Sequence, residues 1–144
     1  MRILLTGATG YIAQNLIPSL ISGGYEIVCC VRDRRRFDES RFKSGRVSII
    51  EVDFLDFDSL SAIPADIDAA YYLIHSMSAS TEKFGEMEKI SAENFMRSIN
   101  RTNVKQVIYL SGITNEKKLS RHLASRKAVE NILDKGKYHL TTLR

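Results

Sequence analysis

Ile3-Leu4-Leu5-Thr6-Gly7-Ala8-Thr9-Gly10-Tyr11-Ile12-Ala13 carries an apolar strand pattern through a glycine-bearing turn and into a helical pattern. Each small residue in it has a separate reason. Gly7 permits the tight turn off the strand, Gly10 lets the backbone approach a diphosphate, and Ala13 is small enough for close packing of helix on sheet. The free N–H groups at the helix start then face the anion, with the helix dipole behind them. A glycine triplet alone is weak evidence, but here the strand before it and the helix after it are both present. No Gly-Lys-Ser/Thr follows, which disfavours a Walker-type phosphate loop.

Outward from this stretch, short apolar runs alternate with helical patterns. Strands are expected at 3–5, 26–31, 47–52, 69–74, 106–110 and 138–143. The first helix is expected over 10–22, with Ile12, Leu16, Leu20 and Ile21 on one side and Gly23-Gly24 as its stop. A long helix is expected over 82–101, facing inward with Phe84, Met87, Ile90, Phe95 and Ile99, and another over 121–135. The polar link 33–46 has room for a short helix. Strands that are apolar throughout imply a sheet covered on both faces, hence parallel. The strand–helix alternation then predicts an α/β, doubly wound architecture with right-handed crossovers.

The chain has 144 residues, the size of one domain spanning 1–144. No apolar run approaches the roughly 18–20 residues of a membrane span, so no membrane partner is expected. Lys and Arg exceed Asp and Glu by 21 to 17, too small an excess to imply a nucleic-acid partner by itself. The basic cluster at Arg32–Arg36 is one short run without interleaved aromatics, which also argues against nucleic acid. Cys29 and Cys30 are adjacent and flanked by apolar residues. Neighbours on a strand point to opposite faces, so they are expected as buried, reduced residues of a cytoplasmic protein. The three histidines show no metal-ligand spacing. The chain stops just after its last strand with no helix behind it, as expected of the N-terminal part of a longer protein.

In dinucleotide folds an acid usually ends the second strand and binds the ribose hydroxyls of NAD. Here Val31 stands at that position and Arg32 follows. An apolar residue removes carboxylate repulsion and a guanidinium grips a 2′-phosphate, which favours NADP(H) over NAD(H). Asp33 is the competing feature, since turned inward it would serve a ribose hydroxyl. Asp53 and Phe54 follow the third strand, where a carboxylate and a backbone N–H meet adenine; capping of the next segment is the alternative for Asp53. Ile74, His75 and Ser76 follow the fourth strand, beside the diphosphate and nicotinamide; the backbone of His75 and Ser76 is expected to meet cofactor, and the His75 side chain is a second candidate acid. With Gly7, Thr9, Gly10, Tyr11, Ile12 and Arg32 they complete the expected cofactor contacts. His139 is expected to be structural, and Met77, Met87 and Met96 to be packing residues.

The loop Thr6–Ala13, Val31-Arg32-Asp33, Asp53 and Tyr109-Leu110-Ser111-Gly112 together resemble the atypical short-chain dehydrogenase/reductases. Tyr71-Tyr72-Leu73-Ile74-His75-Ser76-Met77 resembles one subgroup of them. The resemblance covers nearly the whole chain and implies a Rossmann fold with strand order 3-2-1-4-5-6. Active members use a serine with Tyr-x-x-x-Lys, and Ser111 occupies the serine's place. In the register set by Ser125 and Glu130, however, His122 falls on the tyrosine and Arg126 on the lysine. Histidine exchanges protons near neutrality, whereas arginine holds an anion but stays charged. Lys127 lies about 100° further round the helix, away from the site. Two functions follow: an NADP(H)-dependent reductase, isomerase or epimerase acting on a small carbonyl or sugar-like molecule, or a non-catalytic, redox-sensing, NmrA-like dinucleotide module.

Overall fold

The computed structural model describes residues 1–75, 83–112 and 121–144. Six strands form one parallel sheet: β1 (Arg2–Leu5), β2 (Glu26–Val31), β3 (Val47–Glu51), β4 (Ala69–Tyr72), β5 (Gln106–Leu110) and β6 (His139–Leu143). Their order is β3-β2-β1-β4-β5-β6. Three helices accompany them: α1 (Tyr11–Ser22), α2 (Phe84–Ile99) and α3 (Arg121–Leu133). The link after β2 holds two one-turn 3₁₀ helices, Arg34–Arg36 and Glu39–Arg41, where the sequence left room for one short helix. A longer 3₁₀ segment, Phe57–Ala62, follows β3.

Side chains alternate across each strand, so the sheet divides the core into two layers. On the α1 side Ile3, Leu5, Ile27, Cys29 and Val31 pack with Ala13, Ile17 and Leu20 of the helix and with Phe37 and Phe42 of the link. On the other side Leu4, Val28, Cys30, Ala70, Tyr72, Val107 and Tyr109 pack under α2, α3 and the 3₁₀ segment. The Phe95 ring lies 4.8 Å from that of Tyr72 and 6.0 Å from that of Phe54. Cys29 and Cys30 are therefore in different layers, both free and both buried. Burial pushes both thiols well up from the usual value, Cys29 to about 12.

Two expected inward residues point outward. Ile12 of α1 is 48% exposed and Ile90 of α2 is 38% exposed. The inner stripe of α2 is instead Glu88, Ser91, Ala92, Phe95, Ser98 and Ile99. These positions repeat at helical spacing, and Ile90 falls on the far side of it. The inner face thus carries polar groups among its apolar ones. His139, on the edge strand β6, is exposed. On the α1 side of β5 and β6, Ile108, Leu110 and Leu143 belong to neither core layer.

The chain passes from β1 to α1 on one face and from β3 to β4 on the other. β1 thus has β2 on one flank and β4 on its other flank. Strand order reverses there, and a crevice opens outside the carboxyl ends of the strands.

Candidate functional site: the cleft at the carboxyl ends of β1, β2 and β4

The turn after β1 is built around Gly7, whose φ is +61°; a Cβ there would lie 2.7 Å from the Leu73 carbonyl oxygen. Only glycine takes this conformation without strain and leaves room for β4. A Cβ on Gly10 would meet the Gly7 oxygen at 3.1 Å, and the Gly10 N–H donates to that same oxygen at 2.8 Å. Thr6 ties the turn to β4. Its backbone N–H and hydroxyl both donate to the Tyr71 carbonyl, and the hydroxyl oxygen accepts from the Leu73 N–H at 2.9 Å. Gln14 donates to the Ala8 carbonyl and accepts from Arg41, bracing the turn from the helix side.

Gly10 precedes α1 and supplies no side-chain cap, and the first turn holds no acid. The leading N–H groups of α1 are thus left for a ligand, as a diphosphate site requires. The cleft in front of them has a volume of about 390 Å³. Gly7, Thr9, Gly10, Tyr11, Ile12, Arg32, Asp53, Phe54, Ile74 and His75 all line it. Ser76 lies outside the described residues. Met87, Ser91 and Leu110 also line the cleft. Leu110 belongs to the Tyr109–Gly112 motif, whereas no motif announces Met87 and Ser91, which reach the cleft through the packing of α2.

At the end of β2, Val31 is buried and Arg32 is exposed at the cleft wall. Arg35 claims Asp33: its guanidinium makes two hydrogen bonds to the carboxylate, at 3.0 and 2.9 Å, and its backbone N–H a third. These bonds hold the Asp33 carboxyl below the usual range. Arg34 pairs with Glu39. Among the described residues Arg32 makes no ion pair, so of Arg32, Arg34 and Arg35 it is the one with an uncommitted guanidinium at the cleft. One Asp53 oxygen accepts from the Leu55 N–H, while the cap of the 3₁₀ segment is Asp56. Asn94 donates from its buried amide to the Phe54 carbonyl, fixing that wall to α2.

Beyond the cleft lies a polar cluster between β4, β5, α2 and α3. Arg126 donates to the Ser111 carbonyl and Tyr109 donates to the Arg126 carbonyl, each at 3.2 Å. Ser111 and Arg126 are thus brought together. His122 is exposed on α3, its ring edge-on to Phe84 at 5.2 Å. Lys127 turns aside to Glu130. Glu88, only 3% exposed, accepts from the Ser125 hydroxyl at 2.5 Å and lies 3.8 Å from His75 Nδ1. Burial pushes the Glu88 carboxyl up, but the adjoining His75, Ser125 and Arg126 outweigh it, and the net displacement is downward. Sequence reasoning passed over Glu88; the available signal was a carboxylate on the same stripe as Phe95 and Ile99.

The model of a family described as NAD(P)H-binding matches residues 7–144. The chain belongs to that family. Its fold, glycine turn and structural neighbours are those of the atypical short-chain dehydrogenase/reductases. Among curated relatives, cinnamoyl-CoA reductase 1 of Petunia hybrida is 25% identical over 116 residues, covering 77% of this chain and 35% of its own. A photosystem II assembly factor of Synechocystis is 22% identical over 111 residues, covering 77% of this chain and 33% of its own. The chain thus spans about a third of the length of the curated relatives it matches. Among solved structures, the UDP-glucuronic acid 4-epimerase of Bacillus cereus in complex with NAD superposes with a TM-score of 0.79 at 20% identity, covering 100% of this chain and 55% of that one. The yeast methylglyoxal/isovaleraldehyde reductase complexed with NADPH gives 0.79 at 17% identity, covering 99% and 56%. The family supports dinucleotide binding by the chain; these neighbours show the fold. No helix among the described residues is long and apolar enough to cross a membrane.

Proposed function

We propose that this chain is the cofactor-binding part of an NADP(H)-using protein of the reductase and epimerase type, acting on a small carbonyl or sugar-like molecule. The observation that carries the cofactor preference is the division of labour after β2. Arg35 neutralises Asp33, the carboxylate that would otherwise serve a ribose, and Arg32 stands at the cleft wall without an ion-pair partner among the described residues. A guanidinium so placed suits a 2′-phosphate. Gly7, Thr9, Gly10, Tyr11 and Ile12 hold the diphosphate, Asp53 and Phe54 the adenine side, and Ile74, His75 and Ser76 the nicotinamide side. Ser111 and Arg126 stand at the reacting end.

Calorimetric titration with NADPH and NADH, side by side, tests this. NADPH is expected to bind more tightly, and Arg32→Ala to weaken it by about tenfold or more while leaving NADH nearly unchanged. Equal affinities, or a preference for NADH, overturn the reading. The exposure of His122 on α3 favours a second reading, a dinucleotide sensor without turnover. Turnover of a carbonyl panel by the full-length protein separates the two.

A further inference from the structure

His75 and Glu88 occupy a place that neither the glycine turn nor the Tyr-x-x-x-Lys comparison explains. His75 lines the cleft at the end of β4, and its Nδ1 lies 3.8 Å from Glu88 Oε1. Among the described residues its Nε2 is buried without a hydrogen-bond partner. A buried polar atom left unpaired costs free energy and calls for a reason. Glu88 enters from α2, and its other oxygen is held by the Ser125 hydroxyl of α3. The inner stripe of α2 mixes apolar Ala92, Phe95 and Ile99 with neutral polar Ser91, Asn94 and Ser98, and Glu88 is the one carboxylate buried on it.

We propose that His75 is the proton-transferring group of this site, with Glu88 as its positioning residue and Ser125 fixing the carboxylate. The assignment rests on the reading of the cleft as a dinucleotide site serving a small carbonyl substrate. A carboxylate facing Nδ1 selects the Nδ1–H tautomer and leaves Nε2 as the exchanging atom. A reduced nicotinamide dinucleotide held in the cleft would supply the hydride for the new C–H bond and would itself be oxidised, so the chain's own part in reducing a carbonyl is the proton. The imidazolium Nε2–H bond breaks as the substrate O–H bond forms, leaving neutral imidazole, while Glu88 stays ionised throughout. Solvent returns the proton to the ring. The charged and titratable groups around Glu88 are His75 from the end of β4, Arg126 from α3, and the Tyr72 and Tyr109 phenols from the sheet. Arg126 is therefore an electrostatic neighbour of the pair, and its guanidinium is spent on the Ser111 carbonyl.

The test has two arms. Long-range ¹H–¹⁵N correlation spectra of the imidazoles report the tautomer directly, with His75→Gln assigning the signal among the chain's 3 histidines. His75 is expected as the Nδ1–H tautomer in the parent protein and as a tautomer mixture in Glu88→Gln. In the second arm the full-length protein is assayed with NADPH and a panel of small aldehydes and ketones. His75→Gln and His75→Ala are expected to lower kcat by about a hundredfold. Glu88→Gln is expected to lower kcat by about tenfold and displace the pH profile, with KM little changed. An Nε2–H tautomer in the parent overturns the proposal. So does turnover that survives His75→Ala but fails in His122→Ala, and so does NADPH binding without turnover of any carbonyl. Failure to bind either dinucleotide would instead overturn the reading of the cleft.

Discussion

Gly7 shows how much of the site rests on a single missing methyl group. Its positive φ and the 2.7 Å separation between a hypothetical Cβ and the Leu73 oxygen leave no room for alanine. The clash is with the backbone just after β4, at Leu73, whose N–H Thr6 holds, so relief would have to move that segment. Gly7→Ala is expected to destabilise the chain by about 1–3 kcal/mol, read by urea titration, and to weaken dinucleotide binding as well. This residue was legible in the sequence because its conformation is local: a strand, a turn of small residues and a helix within eleven positions. Arg32 and Asp33 were half legible. Their adjacency after a strand was visible, but which of them a neighbour claims depends on how the one-turn helix after Asp33 places Arg35. Glu88 was not legible, because the partners that give it meaning arrive from β4 and α3.

At the scale of elements, every strand was readable, with ends differing from the structure by up to two residues, since apolar runs buried on both faces leave an unbroken signal. The helices were readable as elements but not in phase. Four of the expected inward positions of α2 held the right part of the helix, yet Ile90 points to solvent and the inner stripe carries Glu88, Ser91 and Ser98. Counting apolar residues therefore misplaces the stripe wherever a helix faces a site as well as a core. The difference is measurable. Phe95 is fully buried against Phe54 and Tyr72, so Phe95→Ala is expected to cost about 3–5 kcal/mol in a denaturant titration. Ile90→Ala is expected to stay within about 0.5 kcal/mol of the parent, and the reverse order would mean that α2 is rotated about its axis.

The whole molecule has a pH dependence set by groups buried in their neutral form. Cys29 is pushed up to about 12, Cys30 lies higher still, and Tyr109 is pushed up to about 12, mainly by burial. In the unfolded chain the thiols release their protons near their ordinary value of 9.0. Folding that holds them neutral is thus favoured below that value and loses support as pH rises past it. The urea midpoint is expected to fall steeply above about pH 9. In Cys29→Ala with Cys30→Ala the fall should begin later, at phenol rather than thiol pH. A midpoint just as steep in the double variant would place the alkaline loss elsewhere.

The two thiols have another consequence. One peptide bond apart, they lie in separate layers: Cys29 with α1 and the link after β2, Cys30 with the layer that holds α2, α3 and the 3₁₀ segment, at the wall of the cleft. A reagent that alkylates thiols would therefore read two independent locks through neighbouring residues. In single-cysteine variants, equal labelling rates would mean that the sheet opens as one body. A faster Cys29 would mean that the single helix on its side lifts while the paired helices stay shut, so the chain carries its own gauge of which layer yields first.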